Sequence, residues 1–86
     1  MWYMYVVKCS DGTFYTGVTT DLDRRVDEHN NSNKGAKYTA TRGPVKLIYA
    51  IEKKDRSSAC KAESKFKKLS RKEKLKTMNQ HIKYLI

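Results

Sequence analysis

A short turn, Ser10-Asp11-Gly12, separates two runs of β-branched and aromatic residues, and its length decides what the start of this chain can build. Residues 2–9, Trp-Tyr-Met-Tyr-Val-Val-Lys-Cys, read as one strand and residues 13–19, Thr-Phe-Tyr-Thr-Gly-Val-Thr, as a second. A two-residue Asp11-Gly12 loop would pair 10 with 13 and put Tyr5 and Tyr15 on opposite faces. A three-residue loop pairs 9 with 13, and its last position needs a left-handed backbone, which glycine supplies as a bulge. The second register is the one expected here. It sets Val7 against Tyr15 and Tyr5 against Gly17, so the two phenols become diagonal neighbours on one face. Gly17 would then leave an open spot beside the Tyr5 ring, or act as a weak strand position or bulge.

The rest of the chain alternates helical and extended patterns. Thr20 or Asp21 can cap a helix running to about Asn30. Taking Leu22 as the origin of the helical wheel, Val26 lies at about 40°, His29 at about −20° and Arg25 at about −60°. Arg25 and His29 are therefore one turn apart at the edge of the buried stripe. Residues 30–44 hold the breakers of a loop. Val45–Glu52 reads as a third strand. Asp55–Leu69 reads as a helix with Ala59, Ala62, Phe66 and Leu69 on its apolar side and Glu63 flanking it. Ser70-Arg71-Lys72-Glu73 is a capping box that starts another helix, with Leu75, Met78, Ile82 and Leu85 as its apolar stripe and Asn79 beside them. The order β-β-α-β-α-α describes a small α+β single domain (α/β in the broad sense) over residues 1–86: a three-stranded antiparallel sheet flanked by helices.

Charge narrows the partners. Nineteen Lys and Arg face nine Asp and Glu in 86 residues, a net charge of +10. Eleven of those bases fall between Lys53 and Lys76, against three acids. Many of these lysines are accounted for by a solvated helix face. An excess this large also favours a polyanion, because each base near a phosphate releases counterions. Nucleic acid is the expected partner. A membrane is not, since no long apolar run or strongly apolar helix face appears. No secretory signal opens the chain, so a cytoplasmic location with Cys9 and Cys60 as reduced thiols is expected.

In order and spacing, these residues resemble the GIY-YIG nuclease family. Tyr3-Met4-Tyr5 stands at its first signature triplet and Tyr15-Thr16-Gly17 at its second. Arg25 fits the family arginine ten residues after the second tyrosine, and His29 the histidine found in several members. Glu63, within Lys61-Ala62-Glu63-Ser64-Lys65, fits the glutamate that holds the metal. The resemblance covers about residues 2–78 and is strongest to small stand-alone bacterial-type members, through Tyr-Thr-Gly-Val-Thr-Thr-Asp-Leu, Arg-Gly-Pro-Val-Lys-Leu-Ile-Tyr and Leu-Ser-Arg-Lys-Glu-Lys. The first triplet has neither glycine nor isoleucine at positions 3 and 4, and Thr16 replaces the middle isoleucine. Val18 stands where the nucleotide-excision-repair branch carries lysine. Asn79 is a candidate for the asparagine that members often have on a late helix.

The resemblance implies hydrolysis of DNA phosphodiesters with one divalent ion, Mg²⁺ or Mn²⁺, selecting structure rather than sequence, in a setting of DNA repair or recombination. Glu63 would be the sole protein ligand of an oxygen-loving ion that keeps several waters. Arg25 would clamp the scissile phosphate. Tyr5 or Tyr15 would orient or deprotonate the attacking water, although a free phenol has a pKa near 10 and needs help to act as a base. His29 would accept a proton from Tyr5. Arg24, Lys37, Arg42, Lys61, Lys65 and Lys68 would contact the nucleic-acid backbone. The structural readings compete with these: packed rings for Tyr3, Tyr38 and Tyr49, a helix-edge histidine for His29, a surface base for Arg25, an i,i+4 partner of Lys67 for Glu63, and exposed or structural roles for Asn79 and His81. Competing functions are a nucleic-acid-binding module that keeps the fold without turnover or needs a partner for it, and a basic protein bound to RNA or the ribosome. The sequence leaves oligomeric state and protein partners open.

Overall fold

In the computed structural model, residues 1–31 and 44–79 are described. The expected hairpin forms from β1 (Trp2–Lys8) and β2 (Phe14–Thr19), paired antiparallel with Tyr5 opposite Gly17 and Val7 opposite Tyr15. Cys9 N–H donates to the Thr13 carbonyl at 2.8 Å, closing the three-residue turn, and Gly12 takes φ +86°. Asp11 Oδ1 accepts from the Thr13 backbone N–H at 3.1 Å, which fastens the turn further.

Helix α1 (Leu22–Asn31) follows, then β3 (Lys46–Lys53), α2 (Arg56–Lys67) and α3 (Arg71–Asn79). The sheet order is β2-β1-β3, all antiparallel, so β1 is central. That position explains why Met4, Tyr5, Val6 and Val7 are all buried: both faces of β1 are covered. On one face Met4, Val6 and Tyr49 pack with Phe66 of α2 and Met78 of α3. The Phe66 ring stacks on Tyr49 with centroids 6.0 Å apart, and burying such a ring is worth about 1.5–3 kcal/mol. On the other face Tyr5, Val7, Cys9, Val45 and Ala50 pack against Leu22 and Val26 of α1. The domain is thus a sheet between α1 and the α2–α3 pair.

The helix starts follow the sequence. Asp55 lies outside α2 as its cap, accepting from Ser58 N–H at 2.8 Å, so the helix begins one residue later than the sequence pattern implied. Ser70 and Glu73 make the reciprocal capping box at 3.2 and 2.9 Å. One further feature lay outside the sequence reading and one departs from it. The β1–β3 register slips between Val6 and Val7, which pair with Tyr49 and Leu47, so Ile48 is an extra residue that shares the Tyr49 face. Leu75, expected in the buried stripe of α3, is 42% exposed. The Arg71 guanidinium, one turn earlier, lies 4.4 Å from the Phe14 ring centroid and donates to the Gly12 carbonyl. Ile82 and Leu85 lie outside the described residues, as do Tyr38 and His81. Cys9 and Cys60 are both free thiols. No helix among the described residues is long and apolar enough to cross a membrane.

Candidate active site

The α1 face of the hairpin gathers four of the chemistry-bearing side chains. Tyr5 on central β1 is 1% exposed, and Tyr15 on edge strand β2 is half-buried. The spot over Gly17 is not open, as the sequence reading had it. The Tyr5 ring fills it so closely that a Cβ at position 17 would meet Tyr5 Oη at 2.6 Å.

Helix α1 brings the next two residues over the tyrosines. Asp21, not Thr20, caps it: Asp21 Oδ1 accepts from Arg24 N–H at 3.0 Å, while Thr19 Oγ1 receives the Asp21 N–H at 3.1 Å. At the far end Asn30 accepts from Val45 N–H at 2.6 Å and donates to the Val45 carbonyl at 3.1 Å. These bonds pin both ends of α1 to the sheet and fix its rotation. His29 falls within the buried stripe at 5% exposure, deeper than the edge position read from the wheel, and Arg25 occupies that edge half-buried.

The Tyr5 hydroxyl is the hub. Its oxygen lies 2.9 Å from His29 Nε2 and accepts from Arg25 Nε–H at 3.3 Å. The guanidinium N–H can only donate, so the phenolic hydrogen remains available to Nε2; donated there, it pairs with the imidazole tautomer that carries its proton on Nδ1. The Tyr15 ring meets His29 edge-on, with centroids 5.3 Å apart. Arg25 Nη1 donates to Glu28 Oε1 at 3.0 Å, and Glu28 Oε2 lies 4.0 Å from Arg24 Nε. Among the described residues, no buried side-chain nitrogen or oxygen lacks a hydrogen-bond partner.

These contacts shift the titrations. Burial pushes the Tyr5 phenol above its ordinary value, opposed by Arg25 and reinforced by the charges of Tyr15 and Glu63. Burial also pulls His29 below its ordinary value, and the neighbouring Arg25 charge adds to this. For Arg25, burial acts downward but the bonds to Tyr5 and Glu28 outweigh it, so its pKa rises. A histidine with a lowered native pKa leaves the unfolded chain binding its proton first. Its contribution to stability is therefore complete above pH 6.5 and is lost as pH falls toward the native value. Thermal melts between pH 7 and pH 5 should show wild type losing more Tm than His29→Gln. The capping carboxylates Asp55 and Glu73 do not confuse this window, because both are held below ordinary values of 3.8 and 4.5 by bonds from Ser58 and Ser70.

Glu63 lies on α2, and its charge adds slightly to the upward push on the Tyr5 phenol. Its carboxylate also pairs with Lys67 Nζ at 3.1 Å, the structural role foreseen for it. Among the described residues, no group of three or more His, Cys, Asp or Glu is placed to hold a metal. The remaining motif residues serve the scaffold: Met4 and Thr16 are buried and Tyr3 is half-buried. Arg24 is exposed beside Arg25. Lys61, Lys65 and Lys68 are exposed but lie about 140–160° around α2 from Glu63, on the far side of that helix. Lys37 and Arg42 lie outside the described residues. Two contributors escaped the sequence reading. Glu28 was legible as the i+3 partner of Arg25; Asn30 carried no signal, because its partner is fifteen residues away.

Comparison with known proteins shows the family. The family model described as the GIY-YIG catalytic domain matches residues 1–79. The chain is similar to UPF0213 protein DP2720 of Desulfotalea psychrophila, 54% identical over 69 residues, a match that spans 80% of this chain and 63% of that protein. It is 52% identical over 79 residues to UPF0213 protein SAG0778 of Streptococcus agalactiae, covering 92% of this chain and 89% of that one. Among solved structures it is similar to the solution NMR structure of UPF0213 protein BH0048 from Bacillus halodurans, with TM-score 0.61 and 41% identity over 95% of this chain and 87% of that one. Another is the E. faecalis protein EF2693, with TM-score 0.60 and 44% identity over 92% of this chain and 84% of that one. A hairpin tyrosine pair under an arginine–histidine helix, and a family match across residues 1–79, together place this chain in the GIY-YIG catalytic-domain family, whose members are typically nucleases.

Proposed function

We propose that this chain is a metal-dependent endonuclease that hydrolyses phosphodiester bonds in DNA, selecting the form of the substrate rather than its sequence, with DNA repair or recombination as its setting. One observation carries the reading: the buried Tyr5 hydroxyl joins Arg25 and His29 in one hydrogen-bonded unit beside Tyr15. Such a unit sets a guanidinium, the group best suited to a phosphate, beside the tyrosine pair.

The roles divide by exposure. Arg25 binds the scissile phosphate and stabilises the charge that develops on it. Tyr15, the half-buried tyrosine, orients the attacking water. Tyr5, enclosed and with a raised pKa, holds Arg25 and His29 in place and keeps its proton in the free protein. Transfer of that proton to His29 is opposed by the Arg25 charge. A phosphate anion on Arg25 would offset that charge and raise the basicity of His29. Glu63 is a hard oxygen donor, and one carboxylate suits Mg²⁺ or Mn²⁺, which fill most of their shell with water and phosphate oxygens. A metal bound there supplies charge stabilisation to the leaving oxygen. Lys67 now holds that carboxylate and would have to yield it. The same ion pair favours the competing reading, a nucleic-acid-binding domain without turnover.

Incubation with duplex, nicked, flapped, branched and single-stranded DNA and RNA, with Mg²⁺, Mn²⁺ or EDTA, separates the two. Metal-dependent cleavage of DNA is expected, with Tyr15→Phe roughly tenfold slower and Glu63→Ala needing roughly tenfold more metal. Binding by wild type without cleavage of any substrate would refute the enzyme. An unchanged metal requirement in Glu63→Ala would remove that residue from the metal site.

A further inference from the structure

One row across the sheet sets two like charges side by side. Lys8 of β1 pairs with Lys46 of β3 on one side and with Phe14 of β2 on the other. Both lysines are exposed, and neither has an ion pair with a described residue. Like charges directly opposite each other on neighbouring strands weaken a sheet. Arg71 of α3 brings a third cation to the row, its guanidinium 4.4 Å from the Phe14 ring centroid.

The three bases border a concavity of about 400 Å³, within the range of small-ligand sites. Among the described residues that line it, none is acidic. Phe14, Ile48 and Leu75 supply apolar wall, and Leu75 is an exposed leucine there. Three cations around apolar wall, with no carboxylate among them, match an anion that carries an apolar body.

We propose that this concavity holds one unpaired nucleotide of a single nucleic-acid strand. Lys8, Lys46 and Arg71 take the phosphates, and the base lies against Leu75 and Ile48. A phosphate between the two lysines replaces their repulsion by attraction to a common partner. The strand is single because a paired base is stacked inside its duplex and cannot enter a concave site. The concavity is separate from the candidate active site: Phe14 packs on the α2–α3 side of the sheet and Tyr15 on the α1 side. The proposal goes beyond the nuclease reading and does not depend on cleavage.

The lysine pair makes the role measurable, because stability and binding move in opposite directions. Lys46→Gln removes the repulsion and should raise the Tm of the free protein at low salt by about 1–4 °C. Fluorescence anisotropy without metal then measures affinity for a fluorescein-labelled thymidine hexanucleotide and for an abasic strand with the same phosphates. Lys8→Gln/Lys46→Gln should weaken hexanucleotide binding about tenfold or more. The charge-matched pair Lys54→Gln/Lys76→Gln, exposed and outside the concavity, should weaken it less than about threefold. Leu75→Ser should weaken the hexanucleotide about fivefold and leave the abasic strand unchanged. A folding defect cannot produce a more stable protein that binds less. Equal losses in the two lysine pairs, or equal affinity of wild type for the hexanucleotide and the abasic strand, would overturn the proposal. So would a Tm that does not rise in Lys46→Gln, or tighter binding of thymidine monophosphate than of the hexanucleotide.

Discussion

Gly17→Ala is expected to cost this protein both stability and cleavage. The new methyl would lie 2.6 Å from Tyr5 Oη, 2.8 Å from Cζ and 3.0 Å from Cε1. Oη and Cζ lie on the χ2 axis, so turning the ring about that bond leaves them in place, and only a swing of the whole ring about χ1 relieves the contact. The ring is 1% exposed and shares its hydroxyl with His29 and Arg25, so its retreat displaces those partners too. Overpacking of this kind costs about 1–3 kcal/mol. For a domain of this size each kcal/mol lowers Tm by about 4–8 °C. Cleavage should fall by about 100-fold, because the Tyr5 hydroxyl sets the position of Arg25. Melts and rate measurements on Gly17→Ala read both effects. A Tyr5→Phe background removes the closest contact, so the alanine should cost less Tm there than in wild type. An unchanged Tm in Gly17→Ala would show that the ring is held far less tightly than its contacts imply.

Arg25→Ala should lower the cleavage rate by about 100- to 1,000-fold, the usual loss when a group that stabilises developing charge is removed. Arg25→Lys should recover little of it. A lysine ammonium is a point charge on a flexible stem and cannot bind Tyr5, Glu28 and a phosphate through one rigid plane. The fold should survive, because Arg25 sits at the rim of the α1 interface while Leu22 and Val26 make its apolar contacts. A second readout needs no substrate. Burial lowers the His29 pKa and the Arg25 charge lowers it further, so an NMR titration should find that pKa higher in Arg25→Ala than in wild type. A His29 titration that does not move would mean that Arg25 is screened from the imidazole.

The parts of the fold that could be read in advance are those governed by local chemistry. Gly12 needed a positive φ, and that single requirement chose the hairpin register and put Tyr5 and Tyr15 on one face. The capping box of Ser70 and Glu73 declared itself through neighbours three residues apart. What could not be read depended on partners distant in the chain. The Ile48 bulge arises only when β3 meets β1. Leu75 is 42% exposed, while Arg71 of the same helix reaches Phe14 and Gly12, residues far away in the chain. The family signature carried Tyr5, Tyr15, Arg25, His29 and Glu63 into the site reading, yet it could not say how deep each would lie.

By itself, the sequence determined the element order, the face shared by the two tyrosines and the one-turn spacing of Arg25 and His29, because turn chemistry and helical periodicity act over a few residues. Only the tertiary structure decided that Tyr5 is the enclosed hub and Tyr15 the half-exposed partner, since β1 became the central strand and β2 an edge. It also decided that His29 lies inside the α1 interface, because Asn30 is tied to Val45 across fifteen residues of chain and so sets how the helix is rotated on the sheet.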